Sequence, residues 1–267
     1  MDRPIALIGT AEKGYVDVRI VVRGADGYAS TPRRHTTVGR LARALRRIEG
    51  KPFPPRLMPS VREFLVAIAK AAPGMYRPIL KHPRLFAPIL TRILTGDPKT
   101  DALVRTTQAP TMVSGSAAPN GLPAGAEATV NVRILPGETV ESVLRRFVKV
   151  VADPEVTVDM LNPVGSGDPV DAAPIDNDTY RQLSGVVSSH FPDSVAAPYL
   201  VTSTTDSKHY RYVAAAIYRF LPVRMDPTLM DTIHGVDERI GVQDYLAMID
   251  FYSDLIKNLS GGRHDNE

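Results

Sequence analysis

The 267-residue chain contains no cysteine and no tryptophan, and few of its residues are aromatic. Without thiols there is no disulfide framework and no thiolate nucleophile or ligand. That absence agrees with a reducing compartment, and a cytoplasmic location is expected. No apolar run reaches the ~18–20 residues that a membrane helix needs. Met1-Asp2-Arg3-Pro4 also lacks the charged-then-apolar order of a secretory leader. The signatures of a metal-dependent hydrolase are missing as well: there is no His-x-Asp pair, no adjacent Glu-Glu pair and no His-Glu-x-x-His. A catalytic zinc takes about three protein ligands and keeps one position open. The chain alone is therefore expected not to hold one tightly.

Charge is unevenly placed. The net charge is +3, but residues 1–105 carry 20 Lys/Arg against 8 Asp/Glu, and the acidic excess lies beyond them. A basic half can attract anionic partners. Here the basic residues are scattered along helical stretches without the interleaved aromatics of a single-strand binder. They read as a solvated surface facing an acidic one, with no nucleic-acid partner.

Residues 14–23 alternate apolar with polar side chains and stop at Gly24, as a half-buried strand does. Val38, Leu41, Leu45 and Ile48 then recur at helical spacing. A proline-rich connector (51–60) leads to two apolar helical stretches, 61–71 and 85–94. The second presents a stripe from Leu85 to Leu94 flanked by Arg84 and Arg92; a packing face is favoured over a membrane-surface or substrate-entrance role. Strands are predicted at 111–115 and 126–135, a helix after its cap Thr139, and a strand at 156–161. The order strand-helix-(insertion 51–105)-strand-strand-helix-strand over 14–162 is that of a ferredoxin-like sandwich, an antiparallel sheet with helices on one face. Beyond it, helical stretches at 178–190 and 242–258 alternate with strands near 199–201 and 216–220. This is α/β layering with too few strands to close a sheet covered on both faces.

Several polar residues admit more than one reading. Asn131 and Arg133 sit two apart on a strand and share a face. An amide beside a guanidinium fork suits a carboxylate, although a cross-strand ion pair uses the same residues. Thr205 or Asp206 is placed to cap a helix, which alone accounts for the polar cluster Thr205-Asp206-Ser207-Lys208. Asp206 and His209, three apart, could also face a metal together. His234 is either a loop histidine or a metal ligand.

Four segments in order decide among these. Glu12-Lys13-Gly14-Tyr15, Asn131-Val132-Arg133-Ile134-Leu135-Pro136-Gly137, Thr205-Asp206-Ser207-Lys208-His209-Tyr210, and His234-Gly235 with Glu238-Arg239-Ile240 resemble the zinc-dependent peptidases and amidohydrolases. That family includes carboxypeptidase S, aminoacylase and succinyl-diaminopimelate desuccinylase, and the carboxypeptidase S branch is the nearest. The resemblance implies an α/β catalytic domain interrupted by a dimerising lid. Residues 1–13 would end one catalytic segment, 14–162 would form the lid, and 163–267 would return to the catalytic domain. It implies a zinc enzyme that cleaves an amide beside a free carboxylate, in a dipeptide or N-acyl-amino acid, and a homodimer formed through the lid. It assigns His234 to the metal, and Asn131, Arg133, Ser207 and Lys208 to the substrate, the first two reaching into the partner's site. Most metal ligands and the catalytic Glu have no counterpart, so the chain reads as an inactive portion, for which a separately encoded N-terminal half is one expected partner. A non-enzymatic dimerisation module derived from the family is the alternative. One departure matters: Gly27-Tyr28-Ala29-Ser30 stands where the family has a histidine that crosses the dimer. A neutral Tyr28 supplies one hydrogen bond but no cation.

Overall fold

In the computed structural model, residues 3–230, 232–233 and 235–260 are described. The strands are β1 (Ile5–Glu12), β2 (Gly14–Arg23), β3 (Gly27–Tyr28), β4 (Thr107–Ser114), β5 (Gly121–Leu122), β6 (Gly125–Ile134), β7 (Val156–Met160) and β8 (Val195–Val201). The helices are α1 (Thr37–Glu49), α2 (Pro59–Ile68), α3 (Arg77–Lys81), α4 (Ala87–Leu94), α5 (Pro98–Val104), α6 (Val140–Val151), α7 (Asp178–His190), α8 (Pro227–Met230) and α9 (Val242–Ser260).

The ferredoxin-like order is realised. One antiparallel sheet runs β4-β6-β2-β7. Alternation puts Val16, Val18, Ile20 and Val22 of β2 on one face with Ala128, Val130, Val132 and Ile134 of β6. Helices α1 and α6 lie on that face through Leu41, Ile48, Val143 and Phe147, all essentially buried. Each fully buried aliphatic or aromatic side chain contributes about 1.5–3 kcal/mol. Local signals agree with this packing. Thr36 caps α1 by accepting from the Gly39 amide, and Thr139 and Ser142 form a reciprocal capping box on α6. Between β6 and α6, Gly137 turns the chain with φ +84°, a left-handed value that favours glycine.

The second layer departs from expectation in two ways. β1 and β8 pair in parallel as a two-stranded sheet, and both of its faces are covered. One face meets the helices of the 51–105 insertion: Val61, Leu65 and Ile68 of α2 and Leu90 and Leu94 of α4 pack with Ala11, Ala197 and Leu200. The helices of the insertion thus cover the β1–β8 pair, while Phe53 of its connector joins the core under the antiparallel sheet. The other face carries α7 and α9, where Ile8, Val187 and Phe251 are fully buried. The predicted strand at 216–220 is not formed. Arg219 alone bridges β1, exchanging backbone hydrogen bonds with Gly9 at 2.7 and 2.9 Å, while Tyr218 turns its hydroxyl to the Pro174 carbonyl and Pro222 follows. Among the described residues no helix is long and apolar enough to cross a membrane.

Candidate functional site

β1 and β2 are separated only by Lys13, so the lid sheet and the β1–β8 pair meet at the Glu12-Lys13-Gly14 step. Both charged residues there are buried, each 1% exposed. The Glu12 carboxylate accepts from the Thr205 amide at 3.0 Å, the Thr205 hydroxyl at 2.6 Å, the Ser207 hydroxyl at 3.0 Å and Arg219 Nε at 2.8 Å. Burial lowers the Arg219 pKa, and the Glu12 charge opposes that shift. Lys13 points the other way. Its ammonium donates to the Ala102 and Arg105 carbonyls at 3.0 and 2.7 Å, satisfying groups at the C-terminus of α5. Burial lowers its pKa to about 7, partly offset by Asp101.

Gly14 permits the next contact. A Cβ there would lie 2.6 Å from the Gly167 carbonyl oxygen. Without one, residues 165–169 cross the start of β2, pairing Tyr15 with Gly167 through two 2.9 Å hydrogen bonds. On the face of the lid sheet away from the helices, Tyr15 and Asp17 of β2 stand against Asn131 and Arg133 of β6. A chain of hydrogen bonds joins them. Tyr15 Oη donates to Asp17, Asn131 Nδ2 donates to Asp17 at 2.8 Å, Arg133 Nε donates to Asn131 Oδ1 at 3.3 Å, and Arg133 Nη1 donates to the Thr204 hydroxyl. Burial first, then the Asp17 carboxylate, raises the Tyr15 pKa. The Arg133 guanidinium lies 4.7 Å from the Tyr15 ring centroid, a cation–π arrangement. Ring, amide and hydroxyl fix Arg133 without neutralising it.

Thr205 caps the turn of 3₁₀ helix at Asp206–Tyr210, as the capping reading has it. Ser207 is bonded to both Glu12 and Arg219, and Lys208 Nζ donates to the Gly165 carbonyl at 3.3 Å. One corner therefore gathers Asn131, Arg133, Thr204, Ser207 and Lys208. Tyr28 is elsewhere. It lies 76% exposed on the β3–β5 ribbon, beyond the far end of β2. At ~3.3 Å per residue, the stretch of β2 from Tyr15 to Arg23 alone separates it from Arg133 by roughly 26 Å. His234 lies outside the described residues. Sequence reading held Glu12 and Tyr15 only as parts of a family-like segment, with no role in this corner, and passed over Asp17, Thr204 and Arg219. A further signal in the residues themselves is a Glu-Lys pair set directly between two apolar strands.

The chain matches the model of the peptidase dimerisation domain of M20 enzymes over residues 10–158, more than half its length. It belongs to the M20 peptidase family. Among curated M20 relatives it is 32% identical over 261 residues to "Probable carboxypeptidase S-like 2" of Dictyostelium discoideum, covering 97% of this chain and 49% of that protein. It is 36% identical over 260 residues to human "N-fatty-acyl-amino acid synthase/hydrolase PM20D1", covering 96% of this chain and 51% of that one. The chain thus spans about half the length of the curated relatives it matches. In fold it is similar to the M20 metallo-carboxypeptidase Sso-CP2 of Sulfolobus solfataricus, with TM-score 0.64, 15% identity, and coverage of 95% and 60% of the two chains. It is also similar to the dipeptidase Dug1p of Saccharomyces cerevisiae, with TM-score 0.64, 12% identity, and coverage of 99% and 58%.

M20 metallopeptidases imply a metal, and the donors described here do not fit one. Among the described residues no three His, Asp or Glu side chains converge. Asp206 and His209 therefore gain no third donor, and Glu12, the buried carboxylate of this corner, already accepts four hydrogen bonds.

Proposed function

We propose that this chain is the lid and carboxylate-recognition portion of a metal-dependent amide hydrolase acting beside a free carboxylate, in a dipeptide or an N-acyl-amino acid. The supporting observation is the Arg133 guanidinium, oriented by Tyr15, Asn131 and Thr204, none of which carries a charge. A planar fork held in this way favours a bidentate carboxylate ligand. Arg133 would bind that group, Asn131 would hold the fork and offer a polar edge, and Lys208 would add positive potential. Ser207, bonded to Glu12 and Arg219, would keep the 204–208 turn in place. The names of the relatives fit both substrate classes.

Metal ligands would come from outside the residues described here, and zinc is the metal expected. Water activation and proton transfer would rest with that centre. A partner segment has somewhere to dock. α9 is apolar on two sides: Phe251 is buried against α7, while Val242, Tyr245, Ile249 and Ile256 are each at least half exposed. A helix with a second, exposed apolar stripe calls for a second neighbour. The far position of Tyr28 supports a homodimer, because Tyr28 and Arg133 could serve one substrate only if they came from different protomers.

A single comparison tests the reading. The chain alone, incubated with zinc, is expected to release no amino acid from N-acyl-phenylalanine or a dipeptide. Mixed with the N-terminal half of a relative that carries the His-x-Asp and Glu-Glu pairs, it is expected to do so. Turnover by the unaided chain, or no turnover by a mixture shown to form a complex, counts against it. The second result would favour the non-enzymatic dimerisation module, a reading that the replacement of a lid histidine by Tyr28 supports.

A further inference from the structure

A cavity of about 670 Å³ opens between α2, the turn at 81–85 and the first half of β8. That size falls within the ~300–1,000 Å³ typical of small-molecule sites. Its walls are apolar: Val66 and Ala67 of α2, Pro83 and Leu85 of the turn, and Ala196 and Pro198 of β8. Leu85 is 76% exposed and Val66 44% exposed, so the greasy surface continues to the mouth. The rim has a different character, being formed by Arg62, Lys70, Lys81 and Arg84 with Glu63 as the only acid. Among the described residues no carboxylate lies within ion-pair distance of any of these four cations, and burial raises the pKa of Glu63. Apolar walls below a rim with a basic excess, Lys81 and Arg84 at one end of it, complement one kind of ligand, a hydrocarbon tail carrying an anionic head.

We propose that this cleft binds a single-chain carboxylate amphiphile, with the alkyl chain along Val66, Ala67 and Pro198 and the carboxylate at Lys81 and Arg84. The site lies at the opposite end of β8 from the Arg133 corner, and its occupancy requires no catalysis. It therefore stands or falls separately from the hydrolase reading.

Isothermal titration of the whole chain with decanoate, dodecanoate and tetradecanoate, each below its micellar concentration, tests the proposal. The expected result is saturable 1:1 binding that tightens by up to roughly fourfold per methylene, from ~0.8 kcal/mol for each buried CH₂. The double variant K81E/R84E, on exposed side chains, is expected to weaken dodecanoate at least tenfold with an unchanged circular-dichroism spectrum. Ala67→Trp, which fills the cleft, should abolish binding. Three outcomes would overturn the proposal: no saturable binding, equal binding of dodecyltrimethylammonium, or unaltered affinity in K81E/R84E. Association with phosphatidylglycerol vesicles in the absence of a monomeric dodecanoate site would also overturn it, and would assign the rim to a lipid surface.

Discussion

Glu12 accepts four hydrogen bonds while lying almost wholly out of water, and three of its partners belong to a turn more than 190 residues away. Removing one member of a buried pair strands the other charge, which typically costs about 3–5 kcal/mol. Glu12→Ala should therefore lower the unfolding free energy measured in urea by an amount in that range, and Glu12→Gln, which keeps two acceptor or donor positions, by less. A midpoint unchanged in Glu12→Ala would show that the corner does not support the fold. Lys13 gives a pH test. Its pKa falls from an ordinary value near 10.5 to about 7 in the folded chain, chiefly through burial. Between those two values the unfolded chain binds more protons than the folded one, so stability rises with pH across the window, by up to about 1.4 kcal/mol per unit. Below pH 7 both states are protonated and the penalty is fully present. Chemical denaturation from pH 7 to 9.5 should show this slope in the natural chain and lose it in Lys13→Met. Arg133→Lys replaces a fork by a point charge; in the complemented enzyme a loss of one charge-assisted hydrogen bond predicts about a 10–100-fold fall in kcat/KM.

The lid elements were legible because each carries its own signal. The alternation of 14–23 coincides with β2 and that of 126–135 overlaps β6 to within a residue, and the helical spacing and caps of α1 and α6 agree with their buried faces. Where a long-range partner decides the outcome, the sequence was silent. Nothing in the apolar pattern of α2 says that it packs on β8 instead of on the lid sheet, and the run 216–220 looks like a strand although only Arg219 finds a ladder partner. The same limit hid Thr204 and Arg219, whose roles come from contacts far along the chain. One element of the lid invites pairing. β4 is an edge strand whose outer half leaves Met112 66% and Val113 64% exposed beyond the register shift near Pro110–Met112. Apolar, unpaired edges associate unless protected. If the dimer forms by sheet extension at β4, the double variant M112K/V113K should sediment as a monomer where the natural chain sediments as a dimer, with its urea midpoint little changed. A variant that remains dimeric would move the interface to the lid helices.

At the scale of the molecule, the β1–β8 pair is a small core already covered by helices from two directions, yet it leaves polar and apolar groups without partners. The Thr10 hydroxyl and Arg219 Nη2 are buried without a hydrogen-bond partner, and buried polar groups are normally satisfied by protein or water. The outer stripe of α9, on the side away from its buried Phe251, runs Val242, Tyr245, Ile249 and Ile256, mostly at the three- and four-residue steps of one helix face. A neighbouring segment that packed on α9 would bury the stripe. The prediction follows from this geometry. Tyr245→Glu with Ile249→Glu should abolish complementation by the N-terminal half of a relative, read as lost complex in sedimentation and lost hydrolysis. The isolated chain should meanwhile keep its urea midpoint, because both side chains already face water, and should keep any lid dimer, because α9 is remote from β4. Complementation that survives two buried carboxylates, each costly to desolvate, would place the docking surface elsewhere and leave the greasy side of α9 without a role in assembling the catalytic domain.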